Sequence, residues 1–290
     1  MNELTIFEAH SSYVLALLFT QDTKTLISAG MDNVIHLWSV PDWILAGTFE
    51  GHVNSANSLS LSPDENILAS GSSDQTVRLW SFPDGNSLHT LQDRKKTVSA
   101  VQISPDGAWV GAGSYGGRAK VWTLDGEDVI GIKASKKNLS SIAFSPDVKI
   151  LATSGLGDDI LIWSLPSGEQ IGTLSGHKTA AWSLNFIEEG ATLASLGYEG
   201  SVKFWDTTSW SETRSQQMET PGVRGLTFSP DEKSVALSME SKVQLWSVKD
   251  WQLQFEIPIS TKVVSSLAFS PDGNLLAIGG ADNKIRIWEL

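Results

Sequence analysis

Residues 51–80 read GHVNSANSLSLSPDENILASGSSDQTVRLW, and this stretch decides the fold. It opens on Gly51-His52, runs through Ala56 to Leu61, breaks at Ser62-Pro63-Asp64-Glu65, resumes from Ile67 to Gly71 and ends on Val77-Arg78-Leu79-Trp80. Proline presets the first central φ of a turn and aspartate hydrogen-bonds locally, so residues 62–65 read as a tight turn between two strands. A further apolar-rich run, Leu88 to Leu91, follows the tryptophan. The pattern predicts four short strands joined by three turns.

The unit recurs along the chain. Trp38, Trp80, Trp122, Trp163, Trp205, Trp246 and Trp288 end equivalent runs, separated by 42, 42, 41, 42, 41 and 42 residues. Ser-Pro-Asp returns at 104–106, 145–147, 229–231 and 270–272, while the first and fifth repeats use Thr20-Gln21-Asp22 and Ile187-Glu188-Glu189. Short strands with turn signals at this spacing leave sandwich, barrel or propeller open, and the period selects the propeller.

On Gly51-His52, Gly176-His177, Ser-Pro-Asp-Gly at 104–107 and 270–273, and the Trp-ended third strand of every unit, the chain resembles the WD-repeat β-propeller family over its whole length. Only Trp205-Asp206 has the literal Trp-Asp pair. The resemblance implies an all-β, seven-bladed propeller with four-stranded antiparallel blades and a single domain at 1–290. Its regular turns resemble those of bacterial WD repeats. The seventh unit stops at Glu289-Leu290, one strand short, and Leu4 to His10 aligns with Leu45 to His52. The N-terminal run is therefore expected to pair onto the last blade and close the ring.

Composition narrows the chemistry. With 41% hydrophobic and 19% charged residues the chain can bury a core, which argues against disorder. A formal net charge of −12 and only short basic pieces, Arg94-Lys95-Lys96 and Lys136-Lys137, disfavour a nucleic-acid partner. The chain has no cysteine, which excludes disulfides, thiolate metal sites and a cysteine nucleophile and fits a reducing compartment. No basic n-region with an apolar core opens the sequence, and no apolar run has the length to cross a bilayer. The expectation is a cytoplasmic scaffold: no membrane association, no cofactor, a monomer.

Three repeats place a histidine 28 residues, a serine 10 residues and an acid 6 residues before the closing tryptophan: His10, Ser28, Asp32, Trp38; His52, Ser70, Asp74, Trp80; His177, Ser195, Glu199, Trp205. Serine, histidine and acid together suggest a hydrolase. The family resemblance implies instead a hydrogen-bonded tetrad that locks a blade, and no catalytic residue is assigned. The third, fourth, sixth and seventh repeats depart from it, the fourth with Ser135, Thr153 and Gly157 and the seventh with Ser260, Ile278 and Asp282. No two histidines share metal-ligand spacing on one element, so no metal site is expected. Trp43, Trp210 and Trp251, each 5 residues after a closing tryptophan where other repeats hold Gly85 or Gly168, are read as structural.

The resemblance further implies a binding face made by the loops that lead into the innermost strands and those between second and third strands. Its exposed positions hold all three tyrosines of the chain, Tyr13, Tyr115 and Tyr198, together with Leu15, Met31, Trp182, Arg224 and Met239. Aromatic residues, methionine and arginine are the types enriched at interface hot spots. The expected function is a non-catalytic scaffold binding a protein or peptide there. The alternative is a recognition domain of a larger signalling protein that controls an effector outside this chain.

Overall fold

The second repeat shows why these runs become strands. Along Thr76–Ser81, Val77 and Leu79 are buried while Thr76 and Arg78 are half-exposed, the period-2 pattern of a strand. Along Ile67–Ser72, by contrast, Leu68 to Ser72 are buried without interruption, because this strand lies inside its sheet and both its faces are covered. Ala56–Leu61, Ile67–Ser72, Thr76–Ser81 and Ser87–Gln92 hydrogen-bond in chain order into one sheet. The computed structural model describes residues 1–92, 95–157, 159–218, 222–260 and 263–290. Among them are seven such four-stranded sheets, the blades of a seven-bladed β-propeller. Among the described residues the one helical element is the 3-10 turn Glu188–Gly190, and no helix is long and apolar enough to cross a membrane.

The turns repeat as faithfully as the strands. In the second repeat the Ser62 hydroxyl donates to Asp64 Oδ1 at 2.6 Å and accepts from the Ile67 backbone N–H at 3.0 Å. The same serine-to-aspartate bond recurs at Ser104–Asp106, Ser145–Asp147, Ser229–Asp231 and Ser270–Asp272. Thr20 and Asp22 reproduce it in the first repeat at 2.8 Å, so the turn survives without proline. The fifth repeat replaces it with the 3-10 turn, where Thr192 donates its hydroxyl to Glu188 at 2.6 Å.

Trp43, Trp210 and Trp251 have φ of 56°, 54° and 54°, where Gly85 and Gly168 have 75° and 71°. Each sends its N–H back four residues: Trp43 to Ser39, Trp210 to Asp206, Trp251 to Ser247, Gly85 to Ser81 and Gly168 to Ser164. One left-handed turn thus accounts for the recurring position. The tryptophan rings pack within the protein, Trp43 against Phe7 at 6.3 Å and Trp251 against Trp246 at 6.1 Å. Trp210 packs on the core of the fourth and fifth blades.

The N-terminal run closes the seventh blade. Asn2–Glu8 is antiparallel to Lys284–Glu289, with Ile6 opposite Arg286, Phe7 opposite Ile285 and Glu8 opposite Lys284, and an irregularity between Glu3 and Thr5. Phe7 packs on Trp38 with ring centroids 4.9 Å apart.

The chain forms two compact units, residues 60–222 and residues 1–59 with 223–290. Within each, the core lies between consecutive blades. In the first, Ala69, Val77, Leu79 and Leu91 of the second blade meet Val98, Val101, Ile103, Val110 and Trp122 of the third. In the other, Ala236, Val243, Leu245 and Ile257 meet Val264, Leu276 and Ile278. Small residues permit this approach. A Cβ on Gly111 would lie 2.9 Å from the buried Phe144 ring.

Candidate functional site

In the first and fifth repeats the histidine-to-tryptophan spacings come together as continuous hydrogen-bond chains. In the first repeat Trp38 Nε1 donates to Ser28 Oγ at 2.8 Å, Ser28 Oγ lies 2.8 Å from His10 Nε2, and His10 Nδ1 lies 2.9 Å from Asp32 Oδ1. In the fifth the corresponding distances are 2.9 Å for Trp205–Ser195, 2.7 Å for Ser195–His177 and 2.7 Å for His177–Glu199. In the second, Trp80 Nε1 donates to Ser70 Oγ at 2.8 Å, His52 is buried, and Asp74 accepts the Thr76 hydroxyl at 2.6 Å.

The direction of the protons follows from the acceptors. A carboxylate can only accept, so Nδ1 of a neutral His10 carries the proton and Nε2 accepts from Ser28, whose oxygen takes the indole N–H. Burial lowers the pKa of His10 and of His177, and outweighs the acids beside them. Burial alone would raise Glu199, but hydrogen bonds from Ser201, Thr179 and His177 reverse this and hold its carboxyl at about 2. Both hydroxyl contacts to Glu199 are short.

This arrangement does not suit nucleophilic attack. Ser28, Ser70 and Ser195 are each 0% exposed, and their oxygens are occupied by an indole N–H. An attacking hydroxyl must reach a substrate carbonyl, with donors placed for the developing oxyanion. A buried, satisfied chain of polar groups defines blade geometry instead.

Two of the other repeats satisfy the tryptophan differently, which spacing alone did not indicate. In the fourth, Trp163 Nε1 donates to Thr153 Oγ1 at 2.9 Å, so threonine replaces serine. With Ser135 and Gly157 where histidine and acid would stand, a cavity of about 170 Å³ opens beside Thr153. In the sixth, Trp246 Nε1 donates to Gln244 Oε1 at 3.2 Å. In the seventh, Arg286 reaches both Ser260 Oγ, at 2.9 Å, and Asp282, while the Trp288 indole N–H is buried without a partner.

The structure sets the His36 ring 4.8 Å from that of His10. His10, Asp32 and His36 offer ligand atoms within 4.8 Å of one another. His10 uses Nδ1 on Asp32 and Nε2 on Ser28, and His36 Nδ1 meets Thr48 Oγ1 at 2.9 Å. A cation would have to break the tetrad to enter. Burial, then the neighbouring His10, lowers the pKa of His36.

The predicted partner-binding residues divide between the two units. In the 60–222 unit Tyr115, Trp182 and Tyr198 are exposed, and the rings of Trp182 and Tyr198 lie 6.1 Å apart. In the other unit Tyr13 and Met31 are exposed and joined by the Met31 N–H to Tyr13 carbonyl bond at 2.8 Å. Arg224 is exposed and Leu15 half-buried. Met239 differs from expectation, being only 6% exposed. The sixth repeat is one residue shorter between its second and third strands, and the Met239 N–H bonds Lys242 across that tight turn, which keeps the side chain inside.

Two family profiles match the chain. The one described as the IFT122 first beta-propeller spans residues 13–223, and the one described as the WD domain, G-beta repeat, spans residues 251–289. No curated protein matches it.

Proposed function

Because the chain belongs to the family described as the IFT122 first beta-propeller, and so to the WD-repeat propellers, we propose that it is a non-catalytic scaffold for a protein or peptide. The docking residues lie on the loops leading into the innermost strands and between second and third strands. Propellers of this kind typically serve as platforms for protein interaction. A fold hosts many roles, so the reading rests on the surface itself.

The observation that carries it is the side-by-side exposure of Trp182 and Tyr198, at 36% and 40%. Large aromatic rings left in water beside one another have apolar area to bury, and such residues dominate interface energetics. Tyr13 and Met31 form a second exposed group on the other unit. The scaffold works as a monomer in the cytoplasm, without cofactor or metal.

Affinity capture from the native cell tests this. Trp182→Ala and Tyr198→Ala should each lose a partner that the unaltered chain retains. Glu127→Ala, on the exposed turn at the other end of the third blade, should retain it. Retention by both aromatic variants with loss in the control would refute the assignment.

A further inference from the structure

The loops around the exposed aromatics carry a charge opposite to that of the whole protein. The net charge is −12, yet Lys95, Lys96, Lys136, Lys137 and Lys178, all in loops leading into the innermost strands of the third to fifth blades, are exposed. None of the five forms an ion pair with a described carboxylate. Two described acids of the neighbouring loops are engaged: Glu199 by His177, Thr179 and Ser201, and Asp159 by the Ser175 hydroxyl at 2.6 Å.

These loops are tied together. The Gly116 N–H donates to Asn138 Oδ1 at 3.0 Å, the Ser135 N–H to the Gly117 carbonyl at 2.9 Å and the Leu156 N–H to the Asn138 carbonyl at 2.9 Å. A Cβ on Gly116 would touch the Lys96 stem at 3.6 Å. The Ser140 hydroxyl then bridges to the Ala181 carbonyl, next to Trp182, at 2.6 Å. Tyr115, Leu156, Trp182 and Tyr198, each at least 36% exposed, stand among the lysines.

We propose that this surface of the 60–222 unit binds an acidic peptide segment carrying aromatic or aliphatic side chains. The inference rests on the scaffold function above and names the chemistry of its partner. Unpaired lysines steer and hold carboxylates, and apolar anchors settle on the rings. A short segment fits better than a nucleic acid. A long polyanion would extend past the basic loops onto a surface of its own sign, at distances where ~10 Å screening does not hide it.

The test is selection of short random peptides displayed against the full chain, followed by anisotropy titration of the enriched sequences and of oligo-dT. Enriched peptides should be rich in Asp and Glu and contain Phe, Trp or Leu. Their affinity should fall by about tenfold or more in Lys136→Glu/Lys137→Glu, less in Lys136→Gln/Lys137→Gln, and by a similar factor in Trp182→Ala. Raising salt should weaken them. Enrichment without acidic bias that still depends on Trp182 overturns the acidic-partner proposal and leaves the scaffold face standing. Peptides indifferent to the lysines and to Trp182 overturn both. Tighter binding of oligo-dT than of any acidic peptide assigns the surface to nucleic acid instead.

Discussion

Arg286 donates two charge-assisted hydrogen bonds to Asp282, at 2.5 Å and 3.2 Å, and does so where the first and fifth blades use a histidine. The guanidinium comes from the third strand, its side chain is 4% exposed, and a third contact reaches Ser260. Histidine enters its tetrad from the preceding loop, so the seventh blade bridges the same two strand ends from the opposite direction. Removing one partner of a buried pair leaves the other charge without compensation. Arg286→Leu should therefore destabilise the protein by roughly 3 kcal/mol in denaturant titration, discounted from the upper range because Asp282 keeps some solvent contact. Pairing it with Asp282→Asn should recover much of that loss.

The cavity of about 170 Å³ beside Thr153 marks an unfinished tetrad. Ser135→His alone would bury an imidazole without an acid partner and bring little or no gain. Ser135→His with Gly157→Asp should stabilise by about 1 kcal/mol through the rebuilt hydrogen bonds. A double-mutant cycle by chemical denaturation measures the coupling, which should be favourable.

The pH dependence of stability has two acid windows. Folding holds His10 and His177 below their ordinary value of 6.5, so the unfolded chain takes up protons first and stability declines as pH falls through about 6.5. Glu199 is held at about 2 against an ordinary 4.5, so its contribution is complete above 4.5 and is lost between 4.5 and about 2. Melting curves across pH should show both declines, and Glu199→Gln should flatten the lower one.

Deleting residues 1–9 removes the strand opposite Lys284–Glu289, and with it Phe7, which packs on Trp38 and Trp43. The freed strand edge and the lost aromatic packing should lower the melting midpoint by roughly 5–10 °C. An unchanged midpoint would mean that the closing strand contributes nothing to stability.

The blade count, the approximate strands and the Ser-Pro-Asp turns could be read before any coordinates. They depend on interactions within a few residues, such as the Ser62–Asp64 bond, and on a period that repeats seven times. The tetrads of the first and fifth repeats were legible for the same reason, since a fixed spacing on repeated geometry brings His10 to Ser28 and His177 to Ser195. Even the position of Trp43, Trp210 and Trp251 could be found by alignment, though not the left-handed turn that explains it.

By itself, then, the sequence determined the repeat and the local hydrogen bonds that shape it. Tertiary structure alone decided what each side chain meets across strands: Arg286 taking the place of a histidine, His36 lying against His10, Met239 turned inward, and Trp182 beside Tyr198. Those outcomes depend on side-chain reach and on which neighbouring surface excludes water, and neither is a property of spacing along the chain.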